Sequence, residues 1–470
     1  MTTIEPRAGD QPPRPKTDAI LRGLGRILAT VFFREIEVVG KNRLPDSGPV
    51  IVVANHFNSL IDGVLVASYL PRFPRFLGAS TIWDYKLLRP LLKAAGVIPF
   101  FRHRDAGKVF ARNQSSLAGT RDLLRSGGVL ALFPEGISHN NPYLLPIKSG
   151  AARIALGAEE KYGPLGVTIL PVGLVFDSKN RFRSRALIQI GAPIRIAADC
   201  GPRGSDLRRN KIKEITREIE TGLCAITLNF DTRDSARVLG RAADIWGQSN
   251  PILPVKQSLA ETFERRRDFG SGYNWMSVHH PETTSAVMKT LTEYDEMLAA
   301  AGLRDEQVGA TYAPSAIFGI ATRSLFALIV RLPLSIVGTA LNWIPFQIAR
   351  VFARGKDQDK MATWSLFSSM IIFPGLWLVQ AAVCTAIVTG WFGLSSGWLV
   401  FLTVLLAAPL TGRATLRFHD LLHRLYHEVR AWFILRSRKT LARRLVAKRL
   451  EVLDQLTGFL AIYRREKGED

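Results

Sequence analysis

A run of 52 consecutive residues, Met361–Gly412, contains no Asp, Glu, Lys or Arg. A membrane-spanning helix needs about 20 apolar residues, so this run has the length of two spans and a short turn. We expect the spans at Trp364–Val388 and Trp398–Leu410, joined by the glycine-rich segment Gly390–Gly397. The alternative is a helical hairpin buried in a soluble core, which the length of the charge-free run disfavours.

Basic residues flank this run on both sides. Positive flanks stay on the cytoplasmic side of a membrane, so we expect both ends of the hairpin, and the domain that precedes it in the chain, on the cytoplasmic face. A weaker apolar stretch, Ser315–Ala349, is interrupted by two arginines and a proline, and is compatible with a kinked span, a re-entrant pair or an interfacial helix. The flanking residues are Arg350, Arg354, Lys356 and Lys360 before the run, and Arg413 and Arg417 after it.

The charge of the whole chain predicts an anionic partner. The 470 residues include 62 Lys and Arg against 40 Asp and Glu, a formal net charge of +22. Nucleic acid, an acidic membrane surface and phosphorylated substrates all fit this charge, but no zinc-finger or aromatic RNA-binding signature supports nucleic acid. The three cysteines, Cys200, Cys224 and Cys384, are far apart, which disfavours a disulfide scaffold or a zinc ribbon.

Short apolar runs alternate with helix-like segments between residues 34 and 197. This alternation predicts an α/β domain with a mostly parallel sheet flanked by helices, whose ligand site lies at the loops after the strands. The expected strands are Ile36–Val39, Val50–Ala54, Val97–Phe101, Val129–Phe133, Val167–Leu174 and Ala186–Ile190. The expected helices are Gly63–Tyr69, Tyr85–Ala95, Phe110–Arg125 and Gly150–Glu160.

The remaining segments complete the predicted organisation. The N-terminus lacks the apolar core of a signal peptide, so we expect no cleaved leader. The basic tail has 14 Lys and Arg against 7 Asp and Glu, which suits contact with anionic lipid headgroups. The predicted order is a disordered lead (1–16), an amphipathic helix at the membrane surface or packed on the next domain (17–34), the α/β domain (35–204), a soluble helical region (205–312), a membrane region (313–412) with the hairpin at 361–412, and a basic helical tail (413–470).

His56 and Asp62 follow the expected strand Val50–Ala54. A histidine works as a general base near neutral pH, and a carboxylate orients its ring. Six positions on a continuous helix are about 240° apart, so contact between the two side chains requires a turn, which Asn58 and Ser59 allow. The alternative is a structural aspartate cap beside a solvated histidine.

Three further clusters lie at the ends of expected strands. Arg102 closes the segment Gly96–Arg102, and an arginine in this place suits a phosphate. The segment Phe133–His139 offers a carboxylate, a glycine turn and a hydroxyl, and the fourth cluster is Val167–Gly173. In order and spacing the four clusters resemble the motif blocks of the glycerolipid acyltransferases, the superfamily of bacterial lysophosphatidate acyltransferase. The sequence Phe-Pro-Glu-Gly followed by Ser138 is the most specific block.

Five residues separate His56 from Asp62, where the common pattern of this superfamily has four. A spacing of five also occurs in the yeast-type branch that acylates glycerol 3-phosphate or dihydroxyacetone phosphate. The resemblance covers about residues 35–310. Other segments that resemble this branch are Pro134–Pro142, Leu145–Arg153, Phe182–Ala186 and Gly302–Val308.

The resemblance implies an acyltransferase of phospholipid biosynthesis that needs no cofactor and no metal. It would move a fatty acyl group from acyl-CoA or acyl carrier protein to a hydroxyl of glycerol 3-phosphate, with lysophosphatidate or dihydroxyacetone phosphate as alternative acceptors. Its partners would be the acyl donor, the phosphorylated acceptor and anionic lipids, not nucleic acid. The resemblance implies that His56 is the general base, that Asp62 orients it and that Arg102 binds the acceptor phosphate. It implies that the acceptor is positioned by Glu135, Gly136 and Ser138. Weaker candidates for contacts to phosphate or CoA are Lys148 and Arg183, for which plain surface charge is the alternative.

Two competing interpretations remain open. A non-enzymatic lipid-binding protein on a decayed acyltransferase domain is one, although retention of His56, Asp62, Arg102 and Glu135 together favours an enzyme. A metal site is the other, because three histidines repeat every fourth residue near Asp420 and Glu428. The polar face of an interfacial helix explains that repeat more simply. The three histidines are His419, His423 and His427.

Overall fold

The computed structural model describes residues 15–86, 88–101, 109–177, 182–196, 204–247, 258–308, 314–354, 358–393 and 396–467. The expected disordered lead lies outside these residues, except that positions 15 and 16 begin the first helix. The chain divides into two compact units. The first is Met1–Asn229 with Asp357–Thr363, and the second is Phe230–Lys356 with Trp364–Asp470.

An eight-stranded mixed sheet forms the centre of the first unit. The strand order is β1-β7-β6-β2-β5-β3-β4, and β8 pairs with β6. Only the pairs of β6 with β7 and with β8 are antiparallel, so the prediction of a mostly parallel sheet is confirmed. The strands are β1 (Phe33–Val39), β2 (Val50–Ala54), β3 (Arg75–Ala79), β4 (Ile98–Phe100), β5 (Val129–Leu132), β6 (Thr168–Phe176), β7 (Ser184–Ile190) and β8 (Ile194–Arg195).

In the described part of the first unit, six helices accompany this sheet. One face is covered by α5 and α6, whose Ala155, Ile215 and Ile219 are buried against Ile51 and Ile169 of the strands. Because α6 contributes to this core, the α/β unit extends past the expected boundary at residue 204. The helices are α1 (Pro15–Phe32), α2 (Leu60–Tyr69), α3 (Arg89–Ala94), α4 (Val109–Arg125), α5 (Gly150–Tyr162) and α6 (Asp206–Cys224), with 3₁₀ turns at Lys41–Arg43 and Ser80–Asp84.

Helix α1 has two different faces. On one face Gly25 packs against Ser68 of α2, where an added Cβ would overlap the serine side chain, and Arg26 Nε donates to the Ser68 carbonyl at 3.0 Å. The other face leaves large apolar side chains in solvent, at the spacing of a single helical stripe. The stripe consists of Ile20 (70% exposed), Leu24 (38%), Ile27 (61%) and Val31 (41%).

The second unit is helical. Its core joins α7–α10 to the end of α13 and to α14, with Leu291, Leu298, Ala431, Leu445 and Leu456 all buried in it. Helix α13 runs unbroken through the expected boundary at residues 412–413, and α14 packs its apolar face into this core. The helices are α7 (Arg233–Gly247), α8 (Leu259–His279), α9 (Pro281–Ala301), α10 (Asp305–Val308), α11 (Pro314–Ala353), α12 (Gln358–Phe392), α13 (Gly397–Ser437) and α14 (Lys439–Lys467).

Among the residues that the structure describes, three helices are long and apolar enough to cross a membrane: α11 over Ser324–Phe352, α12 over Trp364–Trp391, and α13. The expected hairpin therefore corresponds to α12 and the first part of α13. The ambiguous stretch from residue 315 is one helix, α11, with Pro333 and Pro345 inside it.

Helices α11 and α13 are antiparallel neighbours joined through small and polar residues. Gly338 lies against the main chain of Thr411, and the Thr415 hydroxyl donates to the Ser335 carbonyl at 3.2 Å. The Asn342 amide donates to the Ala408 carbonyl at 3.0 Å and accepts the indole N–H of Trp377 in α12, also at 3.0 Å. One asparagine thus bonds to all three apolar helices.

Candidate active site

The site begins where β2 ends. The side chain of Asn55, fully buried, donates to the Leu174 carbonyl at 2.9 Å and accepts the Leu174 N–H at 2.7 Å. It thereby continues the β2–β6 ladder, whose last main-chain pair is Ala54 with Val172. This contact fixes the residue that follows, His56, at the carboxyl edge of the sheet.

His56 and Asp62 are in contact. Nδ1 of His56 lies 3.0 Å from Oδ2 of Asp62, and the same oxygen accepts the Asn58 N–H at 2.7 Å. The turn that this contact requires is made at Ser59, whose φ of 50° and ψ of −125° place it outside the regions usual for a residue with a side chain. Helix α2 begins directly afterwards at Leu60.

The surroundings of the His56–Asp62 pair indicate which ring nitrogen of His56 carries the proton. Asp62 is completely buried, whereas the His56 side chain is 17% exposed and stacks on Phe133 with ring centres 3.9 Å apart. A carboxylate facing Nδ1 favours the tautomer with the proton on Nδ1. Among the described residues Nε2 of His56 has no hydrogen-bond partner, so its lone pair is available to accept a proton.

Glu135 points inward from the loop after β5. Its Oε1 accepts the His56 N–H at 2.7 Å. Its Oε2 accepts the Leu145 N–H at 2.9 Å and also contacts Nε2 of His139. With the residue 2% exposed and both oxygens occupied, the carboxylate holds the main chain of His56 and does not face the open side of the loop.

Gly136 and Lys148 lie together beside Glu135. Gly136 has φ of +78°, and a Cβ at this position would overlap Nζ of Lys148. The Lys148 N–H donates to the Pro134 carbonyl at 3.0 Å, while its side chain is exposed. Only glycine fits this turn, and its bare backbone leaves room for the ammonium group. Ser138 lies in the same loop and is half-buried.

Arg183 occupies a different place. Its main chain has φ of 63°, its N–H donates to the Phe32 carbonyl at 2.8 Å, and its guanidinium donates to the Thr30 carbonyl at 2.9 Å. These bonds satisfy carbonyls at the end of α1, so the geometry gives Arg183 a structural part. Arg102 lies outside the described residues. The structure therefore brings His56, Asp62, Glu135, Gly136 and Lys148 together.

Three residues near the base carry roles that the sequence did not indicate. Asn55 extends the ladder, Phe133 supports the His56 ring, and His139 contacts Glu135. His139 falls four positions after Glu135, a spacing that predicts contact only in a helix. The loop that joins them is not helical, so the sequence held no signal for this pair.

The histidine repeat on α13 brings two rings together, with Nε2 of His423 3.3 Å from Nε2 of His427. Across the described ranges of the chain, no group of three or more His, Cys, Asp or Glu is arranged to hold a metal ion.

A mostly parallel sheet with a histidine–aspartate pair at its carboxyl edge, beside a glutamate–glycine turn, defines an acyltransferase domain. Comparisons with known proteins agree. Residues 35–175 match the Acyltransferase family, and residues 253–463 match the family described as Glycerol-3-phosphate acyltransferase 2 C-terminal domain. The resemblance to glycerolipid acyltransferases, and among them to the yeast-type branch, is thereby confirmed.

The similar curated proteins are fungal. Glycerol-3-phosphate O-acyltransferase 2 of Saccharomyces cerevisiae is 29% identical over 289 residues, which is 57% of this chain and 38% of that protein. Glycerol-3-phosphate O-acyltransferase 1 of the same yeast is 23% identical over 321 residues, 64% of this chain and 41% of that protein. An uncharacterized acyltransferase of Schizosaccharomyces pombe is 23% identical over 511 residues, 87% of this chain and 75% of that protein. The chain thus spans well under half the length of both Saccharomyces relatives.

Proposed function

We propose that this protein is a membrane-bound O-acyltransferase of phospholipid biosynthesis. It transfers a fatty acyl group from acyl-CoA or acyl carrier protein to a hydroxyl of glycerol 3-phosphate. The observation that carries the proposal is the His56–Asp62 pair, with Nδ1 3.0 Å from the buried carboxylate and Nε2 open. The names of the two Saccharomyces relatives support glycerol 3-phosphate as the acceptor.

The chemistry needs one base. Nε2 of His56 takes the proton of the acceptor hydroxyl while the oxygen attacks the thioester carbonyl, and a positioned base contributes typically 10²–10⁴-fold. Asp62 stabilises the imidazolium that forms. The carbon–sulfur bond then breaks, the ester remains on the acceptor, and the proton on Nε2 passes to the departing thiolate. A thiolate is a stable leaving group, so no covalent intermediate on the enzyme is required.

The acceptor phosphate requires cations. The Lys148 ammonium, placed over Gly136, supplies one beside the loop that holds the base. Arg102 supplies a second by the motif resemblance. Gly136 and Ser138 position the acceptor from this loop, and Glu135 acts indirectly through the His56 main chain. Arg183 contributes by ordering the corner between α1 and β1.

The exposed apolar side chains of the protein support its association with a membrane. The α1 stripe of Ile20, Leu24, Ile27 and Val31 lies in the lipid headgroup region, and the apolar helices α11–α13 anchor the chain. The catalytic unit faces the cytoplasm, where acyl-CoA and acyl carrier protein occur. Both donors are acidic and suit a chain of net charge +22, as do anionic lipids.

Two alternatives stay in view. Lysophosphatidate or dihydroxyacetone phosphate would use the same base and phosphate contacts. A non-enzymatic lipid-binding protein would need the membrane helices but not the His56–Asp62 pair.

The test is an acyl-transfer assay on membranes that contain the protein. Labelled palmitoyl-CoA, or palmitoyl acyl carrier protein, is offered with each of the three acceptors. We expect glycerol 3-phosphate to be acylated by the wild type and not by His56→Ala, with the same amount of protein in the membrane fraction.

The matched control is His419→Ala, an exposed histidine on α13, which should act like the wild type. Acylation of another acceptor alone would correct the substrate. If the folded, membrane-associated wild type transferred no acyl group with any donor or acceptor, the result would favour the lipid-binding alternative.

A further inference from the structure

His139 is a buried titratable residue that the proposed reaction does not use. It is 8% exposed. Its Nε2 contacts Oε2 of Glu135, its Nδ1 accepts the Asn141 N–H at 3.2 Å, and its ring meets Phe57 edge-on with centres 5.0 Å apart. The ring is therefore held on both nitrogens and on one edge.

These contacts assign the proton on the ring. A nitrogen that accepts a main-chain N–H carries no proton, so Nδ1 of His139 is the bare nitrogen. The proton is then on Nε2, which donates it to Glu135. In the described part of the chain, the other donors to Glu135 are the main-chain N–H groups of His56 and Leu145, so His139 is its single side-chain donor.

The same loop holds the main chain of His56 on both sides. Glu135 accepts the His56 N–H at 2.7 Å, and the N–H of His139 donates to the His56 carbonyl at 3.1 Å. His139 takes part in both contacts, through Glu135 in the first and through its own main chain in the second. Two contacts therefore join His139 to the main chain of His56, one through Glu135 and one direct.

We propose that His139 is a positioning residue. It orients Glu135, and Glu135 in turn fixes His56 so that its ring meets Asp62 and its Nε2 meets the acceptor hydroxyl. The kinetic part of this proposal rests on the proposed acyl transfer, whereas the structural part does not. A displacement of about 1 Å in a catalytic group can cost about 10²-fold in rate, so a residue that touches no substrate can govern the rate in this way.

Two substitutions separate the donor from the bulk of the ring. His139→Leu removes the donor to Glu135, and His139→Gln restores an N–H near the position of Nε2. We expect His139→Leu to lower kcat roughly 10- to 100-fold while KM for both substrates stays within about twofold. His139→Gln should recover most of kcat. His419→Gln is the matched control.

A double variant tests whether the effect passes through Glu135. If it does, Glu135→Gln combined with His139→Leu will be little worse than Glu135→Gln alone. Three results would each overturn the proposal. The first is a double variant whose loss of kcat equals the product of the two single losses. The others are an equal loss of kcat in His139→Leu and His139→Gln, and full activity of His139→Leu.

Hydrogen–deuterium exchange gives a readout that does not depend on activity. The His56 amide is bonded to Glu135 in the wild type, so it should exchange slowly there. Its exchange should be faster in His139→Leu and slow again in His139→Gln. This result would support the positioning role even if the wild type acylated none of the acceptors, an outcome that would reject only the proposed function. Unchanged protection of the His56 amide in His139→Leu would overturn the inference.

Discussion

Asp305 and Arg449, 144 positions apart in the sequence, form a buried ion pair in the helical unit. Nε of Arg449 donates to Oδ1 of Asp305 at 2.9 Å, and the two side chains are only 8% and 2% exposed. The Tyr294 hydroxyl donates to the same oxygen at 2.7 Å. One carboxylate thus joins α9, α10 and α14.

Removal of the arginine should destabilise the helical unit. Breaking one side of a buried ion pair leaves an uncompensated charge and typically costs about 3–5 kcal/mol. We expect Arg449→Met to lose free energy of unfolding of this order, measured by denaturant unfolding in detergent micelles. Arg444→Met, an exposed position on the same helix, should change it by less than about 0.5 kcal/mol. Equal stability of the two variants would contradict the pair's importance.

Tyr294 should make the helical unit sensitive to alkali. Burial, and then the neighbouring Asp305 carboxylate, raise the pKa of Tyr294 well above its ordinary value. The unfolded chain then releases this proton near pH 10 while the folded chain keeps it, so stability is complete below pH 10 and declines above it. In denaturant unfolding between pH 8 and 11, Tyr294→Phe should remove about 1.4 kcal/mol per pH unit from the alkaline slope. Tyr426→Phe, 61% exposed in the wild type, should leave the slope unchanged.

Asp62→Asn should remove most of the activity without disturbing the fold. An asparagine oxygen is able to accept from His56 and Asn58 as Oδ2 does, but the negative charge that stabilises the imidazolium is lost. We expect kcat/KM for acyl transfer to fall about 10²- to 10⁴-fold. Asp206→Asn, on the exposed first turn of α6, serves as control. Retention of half the activity by Asp62→Asn would count against the proposed mechanism.

Asn342→Leu should loosen the packing of the three apolar helices. The change removes two donated bonds and leaves the Trp377 indole N–H without its acceptor. Polar contacts between membrane helices are worth about 0.6 kcal/mol on average and up to about 1.7, so a loss of about 1–2 kcal/mol is expected. Thermal unfolding in detergent measures it. Ser369→Ala is the control, because the Ser369 hydroxyl donates to the Ser365 carbonyl of its own helix, its one bond within the described residues. An equal loss in that variant would refute the role of Asn342.

Local pattern was enough to predict much of the catalytic unit. Strand β2 was predicted with its observed ends, and the turn between His56 and Asp62 follows from helical geometry once contact is required. Ser59 makes that turn. The inward orientation of the Glu135 side chain could not be predicted in this way, because a loop has no periodic pattern that shows which side chains face the interior.

Long-range contacts explain what was not predicted. Strand β3 begins with Arg75, a poor residue for a buried strand, and its charge is matched by Asp18 of α1 at 2.7 Å, 57 positions earlier. Helix α6 belongs to the α/β unit because Ile215, Ile219 and Leu223 enter its core. Neither partner is visible in the local sequence of β3 or α6.

The helical core of the second unit also constrains the path through the bilayer. Helices α7–α10 precede the apolar helices, the end of α13 and α14 follow them, and all share one core with the Asp305–Arg449 pair. We expect a compact core of this kind, which also holds a buried ion pair, to lie on one side of a membrane. With this core on one side of a membrane, the chain that leaves it at α11 and returns by α13 would cross an even number of times. Three helices of the described ranges have the length to cross. An even number of crossings would use two of them at most, whereas counting every apolar helix as a span would place α14 on the opposite side of the membrane from α7–α10.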